Sequence, residues 1–217
     1  MATVNLEDFL DHVLAEVRLA PEDLAIQKMR EVVRDFCQFT RVWQVDGVPI
    51  TIVAGTPEYQ VSSGDESEPV MIEWLSVDDV AATPKNVEWF DRFFSTWRTT
   101  IADDYRFFAQ RTRNTFIFNS IPLTAGKVNG VTYRLSVKPG PQSVEVDEDV
   151  WNNWYETICV GTKARLLTME GERWAQMKRG IGYSGQYIHE KNRARAQIWR
   201  GYGKVNEVWV GPKFGGR

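Results

Sequence analysis

Residues 5–40, NLEDFLDHVLAEVRLAPEDLAIQKMREVVRDFCQFT, carry two apolar stripes at helical spacing. Leu6, Phe9, Leu10, Val13, Leu14 and Val17 recur three and four positions apart, which puts them on one face of a first helix. Asn5 stands just ahead, with a side chain suited to capping the first free amides. Leu19-Ala20 breaks the phase. Pro21 then suits the first turn of a second helix, because a first-turn amide has no partner to lose, and Glu22 and Asp23 suit its positive dipole end. Ile26, Met29, Val33, Phe36 and Cys37 form the apolar face of this second helix, with Arg30, Glu31, Arg34 and Asp35 turned outward. It is expected to end near Thr40.

Outward from this stretch the period changes. Ile50–Val53 is a β-branched run, and Tyr59 and Val61 alternate with polar neighbours. Val70–Val80, Arg106–Phe108, Thr115–Phe118 and Thr132–Val137 read as further strands, with Ser62–Pro69 as a polar loop. Asn129-Gly130 is a hairpin signal. Val87–Trp97 is the exception: Trp89, Phe90, Phe93, Phe94 and Trp97 share a helical face. Helix returns after Val146, with Asp147, Glu148 and Asp149 in the first turn and Val150, Trp154, Ile158, Leu166 and Met169 in phase. Glu170-Gly171 ends that run, and a last helix is expected from Trp174 or Ser184 to Trp199. The fold class expected is therefore α+β. Residues 1–41 and 147–200 form an antiparallel helical bundle, 42–146 an inserted mainly β module, and 201–217 an extended C-terminal tail. This tail is rich in glycine yet keeps Tyr202, Trp209 and Phe214, which suits a segment that orders on a partner.

The composition, 43% apolar and 25% charged over 217 residues, is that of a globular protein. Cys37 and Cys159 are far apart and form no CxxC, so both are expected to be free and buried, as in a reducing compartment. The N-terminus has no basic segment followed by an apolar run, and no stretch is long and apolar enough for a membrane helix, so a soluble chain made in the cytosol is expected. The net charge of −3 hides a strong asymmetry. From Lys163 onward twelve basic residues face four acidic ones, whereas residues 1–162 hold fourteen basic and twenty-five acidic. Such a chain suits docking on an acidic partner or contacts between its own copies.

Motifs for chemistry are weak. Gly180–Gly185 matches GxGxxG, but a charged, helix-like segment precedes it where a dinucleotide fingerprint needs a strand. His189-Glu190 starts like HExxH, but Arg193 stands where the second ligand belongs. The acidic pairs Asp78-Asp79 and Asp103-Asp104 and the run Asp147–Asp149 do not converge on a metal by themselves. No catalytic residues, cofactor or metal ligands are assigned. The segment Lys191–Arg200 interleaves arginines with aromatics, which suits a protein interface or contacts to phosphate.

Taken in order, three groups of residues resemble the head–tail adaptor proteins of tailed phages, including the tail tubular or gatekeeper proteins of short-tailed phages. The first is Phe36–Trp43 followed by Gly55 and Glu58-Tyr59. The second is Phe116–Pro122. The third is Trp154-Tyr155-Glu156, then Val160–Leu167, then Trp174. The resemblance covers nearly the whole chain, with Gly161-Thr162 where the family often has Gly-Ala. It implies a virion protein, assembled in the host cytoplasm, that forms a ring, commonly of twelve copies. The ring binds the portal protein on one side and tail or nozzle proteins on the other, and double-stranded DNA passes through its lumen without sequence specificity. No catalysis, cofactor or membrane is implied. Arg193, Arg195, Trp199, Arg200, Tyr202, Trp209 and Phe214 are the expected partner residues. The rival readings are another neck component, such as a stopper or tail completion protein, a nucleic-acid-binding module built on the basic C-terminal half, and a nuclease-like enzyme.

Overall fold

A computed structural model describes residues 2–64 and 66–200. The chain opens with a short strand, β1 (Thr3–Asn5), a 3-10 turn (Leu6–Phe9) and α1 (Leu10–Leu14). Asn5 caps the turn as expected, its Oδ1 accepting the Glu7 amide at 2.9 Å. Leu6, Leu10, Val13 and Val17 are buried, as their spacing predicts. The single long helix is not formed. Past Leu14 the Val13 carbonyl takes the amides of both Glu16 and Val17, and the Ala20 amide closes a tight turn on Val17. Burying the stripe outweighs continuing the helical ladder, since most helical stability in proteins comes from tertiary packing. The second helix, α2 (Glu22–Thr40), ends where it is expected to.

The middle of the chain holds β2 (Gln44–Asp46), β3 (Tyr59–Gln60), β4 (Ser67–Val77), β5 (Val80–Ala81), β6 (Thr83–Lys85), α3 (Val87–Phe93), β7 (Phe107–Gln110), β8 (Thr115–Phe118), β9 (Val131–Pro139) and β10 (Glu145–Asp147). They make two four-stranded sheets, ordered β2-β9-β4-β5 and β3-β8-β7-β6, and a two-stranded ribbon β1-β10. All named pairs are antiparallel except β6-β7.

Three strand-level expectations are corrected. Asn129-Gly130 does not join neighbouring strands, because β8 and β9 lie in different sheets. The two-residue hairpin is at Asp78-Asp79, where φ is +50° and +68° and Val77 pairs with Val80. Positive φ at both central positions is the turn geometry that matches strand twist, and aspartate tolerates it. Ile50–Val53 is not a strand; Ile50 makes only an isolated bridge to Val131. Lastly, β4 starts inside the expected polar loop, at Ser67. Pro69 is accommodated there by an irregularity between Pro69 and Met71, since a proline inside a sheet needs a bulge or an edge.

The chain ends with α4 (Glu148–Leu167) and α5 (Met177–Arg200). Asp147 caps α4 by accepting the amides of Asp149 and Val150. α4 packs on both α5 and α2, and α5 also touches α2. Phe36 meets Trp154, with ring centroids 5.8 Å apart. Arg165 bonds Glu31 at 2.9 Å, the Thr157 hydroxyl donates to Glu190 at 2.8 Å, and Lys191 pairs with Asp35 at 2.8 Å. Gly161 sits where the three helices meet: a Cβ there would lie 2.8 Å from the Tyr187 ring and from Val32 Cγ1. Gly180 meets α4 in the same way, its missing Cβ falling 2.6 Å from Thr168 Cγ2.

One hydrophobic core runs through these helices and both sheets, from Leu6 and Phe36 to Phe116, Leu135 and Ala194. A smaller cluster of Phe90, Trp97, Ala109 and Ile117 lies under α3. Alternation along β7 and β8 feeds both, Phe108, Phe116 and Phe118 to the first and Ala109 and Ile117 to the second. Cys37 and Cys159 are free and buried, and burial pushes the Cys159 thiol up to about 11. Among the described residues no helix is long and apolar enough to cross a membrane. The expected tail, 201–217, lies outside the described residues.

Gly161→Ala should lower stability by about 1–2 kcal/mol, because the crowding at three helices exceeds the gain in helix propensity. Gly182→Ala, whose Cβ meets nothing within 4 Å, should raise it by up to about 1 kcal/mol. Urea midpoints of the two variants should move in opposite directions.

Candidate functional site

The C-terminal ends of α2 and α5 come together over a gap between the two sheets. There they overhang a groove of about 900 Å³. α2 supplies Phe39 and, just past its end, Arg41; the last turns of α5 supply Arg195 and Trp199. β6 supplies Lys85, and the β7–β8 turn supplies Arg111 and Arg113. Val70, Met71 and Ile72 of β4 line the groove beneath them. Arg41 is placed by a left-handed backbone, φ 59°, at the end of α2, with its amide on the Cys37 carbonyl at 2.9 Å.

Aromatic rings hold several of these cations in place. The Arg195 guanidinium lies 4.8 Å from the centre of the Phe39 ring, and Trp199 has Arg41 at 5.2 Å and Arg195 at 5.7 Å. Lys85 sits 4.8 Å from the Trp89 ring. Each such contact contributes about 0.5–1 kcal/mol at an exposed site. Arg41 pairs with Glu73 and Arg111 with Glu58, both at 3.2 Å. Lys85, Arg113 and Arg195 have no ion pair among the described residues. Five cations therefore line the groove, and two of them are neutralised.

A polar cluster around the buried Lys138 stands beside the groove and ties α2 to the first sheet. Arg34 bonds Glu68 at 3.0 Å and the Pro139 carbonyl. Lys138, only 5% exposed, bonds Gln38 at 3.0 Å and pairs with Glu68 at 3.4 Å. Burial pulls the Lys138 ammonium below its ordinary value, and Arg113 and Arg34 push it the same way.

Of the residues expected at a partner interface, Arg195 and Trp199 meet in this groove. Trp199 is 66% exposed, an unusual position for a large aromatic. Arg193 lies elsewhere on α5, in a cleft with Glu190, Gln197 and the first half of α4. The Arg200 side chain, Tyr202, Trp209 and Phe214 lie outside the described residues. Phe39, Arg41, Lys85, Arg111 and Arg113 were not legible as site residues, because strands distant in sequence bring them together.

The other motifs are structural. Gly180, Gly182 and Gly185 lie inside α5, so GxGxxG makes no phosphate loop. Glu190 is engaged by Thr157 and Gln186. Asp103 staples two loops through the Thr124 hydroxyl and the amides of Leu123 and Thr124, which hold its carboxyl at about 2. Asp104 pairs with Arg106 at 2.7 Å. Among the described residues no group of three or more His, Cys, Asp or Glu is placed to hold a metal ion. The chain matches no known protein-family model and no curated protein.

Lys138→Met tests the charge crowding beside the groove. In the wild type the folded state releases the Lys138 proton below the 10.5 of a free lysine, while the unfolded state still holds it. Wild-type stability should therefore rise with pH up to that value, and the variant should lack this contribution. The melting temperature of the variant minus that of the wild type should fall steadily from neutral pH towards 10.5. A constant difference contradicts the assignment.

Proposed function

We propose that the chain is a structural protein of a tailed-phage particle, a head–tail adaptor. In this reading helices of 1–41 and 147–200 form an antiparallel bundle. Copies of the chain, commonly twelve, close a ring between the portal protein and the tail or nozzle proteins, and double-stranded DNA passes through the lumen. The protein works by binding and not by catalysis, and it resides in the virion.

The observation that carries this reading is the groove. Arginine and tryptophan are the residues on which protein interfaces concentrate their binding energy. Here Arg41, Arg195 and Trp199 form a partly exposed cluster at the end of α5, held on helices that pack on one another. The chain order agrees: helices from both ends touch, and the sheets between them share their core. The five cations around the groove also favour a second reading, a nucleic-acid-binding module.

Electron microscopy of the purified protein, with and without the portal of the same phage, separates the two. Rings that stack on the portal are expected. Monomers that ignore the portal, and bind free duplex DNA with a steep dependence on salt, point to the second reading. Truncation after Arg200 is expected to abolish portal capture while leaving the far-ultraviolet circular dichroism unchanged, and undiminished capture takes residues 201–217 out of the interface.

A further inference from the structure

The described residues hold a second charged surface, opposite in sign to the groove. β1 pairs with β10, and the Glu148 amide donates to the Ala2 carbonyl at 3.1 Å. The Phe9 and Trp151 rings are 4.0 Å apart. These contacts lay the 3-10 turn and α1 against the start of α4. Exposed Glu7, Asp8 and Asp11 are thereby brought beside the first turn of α4, which carries exposed Glu148 and Asp149. None of the five has an ion pair among the described residues. The carboxylates inside the helical packing are by contrast matched: Glu16 with Lys163 and Arg179, Glu31 with Arg165, Asp35 with Lys191. The groove and this acidic segment are thus two places where charge of opposite sign is left without a partner among the described residues.

We propose that the groove of Arg41, Lys85, Arg113, Arg195, Phe39 and Trp199 receives the acidic face, residues 7–11 and 148–149, of a second copy of this chain. This occupant rests on the ring reading above, but the choice of surface rests on charge and shape. Met71, Val70 and Val87 give the groove an apolar lining, which phosphates do not match. A polypeptide face brings carboxylates together with apolar side chains, and here half-buried Phe9, packed on Trp151, lies between Asp8 and Asp11 in the chain. The contact is heterologous, so each copy offers a groove to one neighbour and an acidic face to the other.

The test is a charge swap on the full chain. Lys85→Glu/Arg113→Glu/Arg195→Glu and Glu7→Lys/Asp8→Lys/Asp11→Lys should each weaken self-association by ~100-fold or more, as like charges meet. Light scattering and mass photometry at low salt measure this, with circular dichroism to confirm folding. Mixed one to one, the two variants should associate again, because each now matches the other. Restored association in the mixture alone supports the pairing. Variants that still assemble like wild type, a mixture that stays dissociated, or a wild type that is monomeric throughout overturn it. Rings that persist in the groove variant sink this surface and leave the adaptor reading standing. Failure to form rings or to capture the portal sinks the adaptor reading itself. Loss of duplex DNA binding with self-association intact assigns the groove to nucleic acid and overturns the proposal.

Discussion

The approach of α4 to α2 and α5 at Gly161 sets the rest of the structure. Any side chain there would collide with the Tyr187 ring and with Val32 at once. Because the position is bare, α4 can lie against both neighbours, and Tyr187 can reach Asp35 with its hydroxyl at 2.8 Å while the ring covers the glycine. Burial and that carboxylate hold the Tyr187 hydroxyl protonated far above the ordinary tyrosine value. Lys191, one helical turn on, pairs with the same Asp35. The crossing therefore fixes the rotation of α5 about its own axis, and with it the direction in which the final turns project.

What α5 projects depends on that rotation. Lys191 and Arg195 are one turn apart and both meet the Phe39 ring, at 4.7 and 4.8 Å. Trp199, one turn further, meets Arg41. The row 187, 191, 195, 199 is thus a single helical ridge that starts as core and ends as surface, with α2 alongside throughout. α2 in turn is tied to the first sheet by the cluster of Arg34, Glu68, Gln38 and the buried Lys138. A lysine buried with arginines nearby is a costly arrangement, and a buried pair is weak evidence of stability. Its effect here is positional: it ties α2 to β9 and β4 beside the groove.

The longer helices were legible because their information is local. The stripes of α2 and α4 show in the sequence, both helices carry acidic residues in the first turn, and α2 stops at Thr40 as expected. The sheets were less legible because pairing is not local. Val70–Val80 reads as one strand, yet Asp78-Asp79 folds it back on itself, since two adjacent aspartates announce a turn less clearly than Asn-Gly does. Asn129-Gly130 was given weight as a hairpin, but its turn serves to carry the chain from one sheet to the other. The site divides in the same way. Arg195 and Trp199 stand out within one helical segment, whereas Lys85 and Arg113 mean nothing until β6 and the β7–β8 turn are set against α2.

This division bears on how the charge asymmetry arises. The sequence places most of its uncompensated positive charge after residue 162, which points to the last helix alone as the basic surface. In the fold several of those cations are consumed: Lys163, Arg165, Arg179 and Lys191 all pair with carboxylates from the first 35 residues. The groove instead recruits Arg41, Lys85, Arg111 and Arg113 from the acidic part of the chain. Pairing between the helices uses up cations of the basic segment, and the sheets bring cations of the acidic segment to the groove. The basic groove of the folded protein is therefore a product of tertiary structure, assembled from both the acidic and the basic part of the sequence.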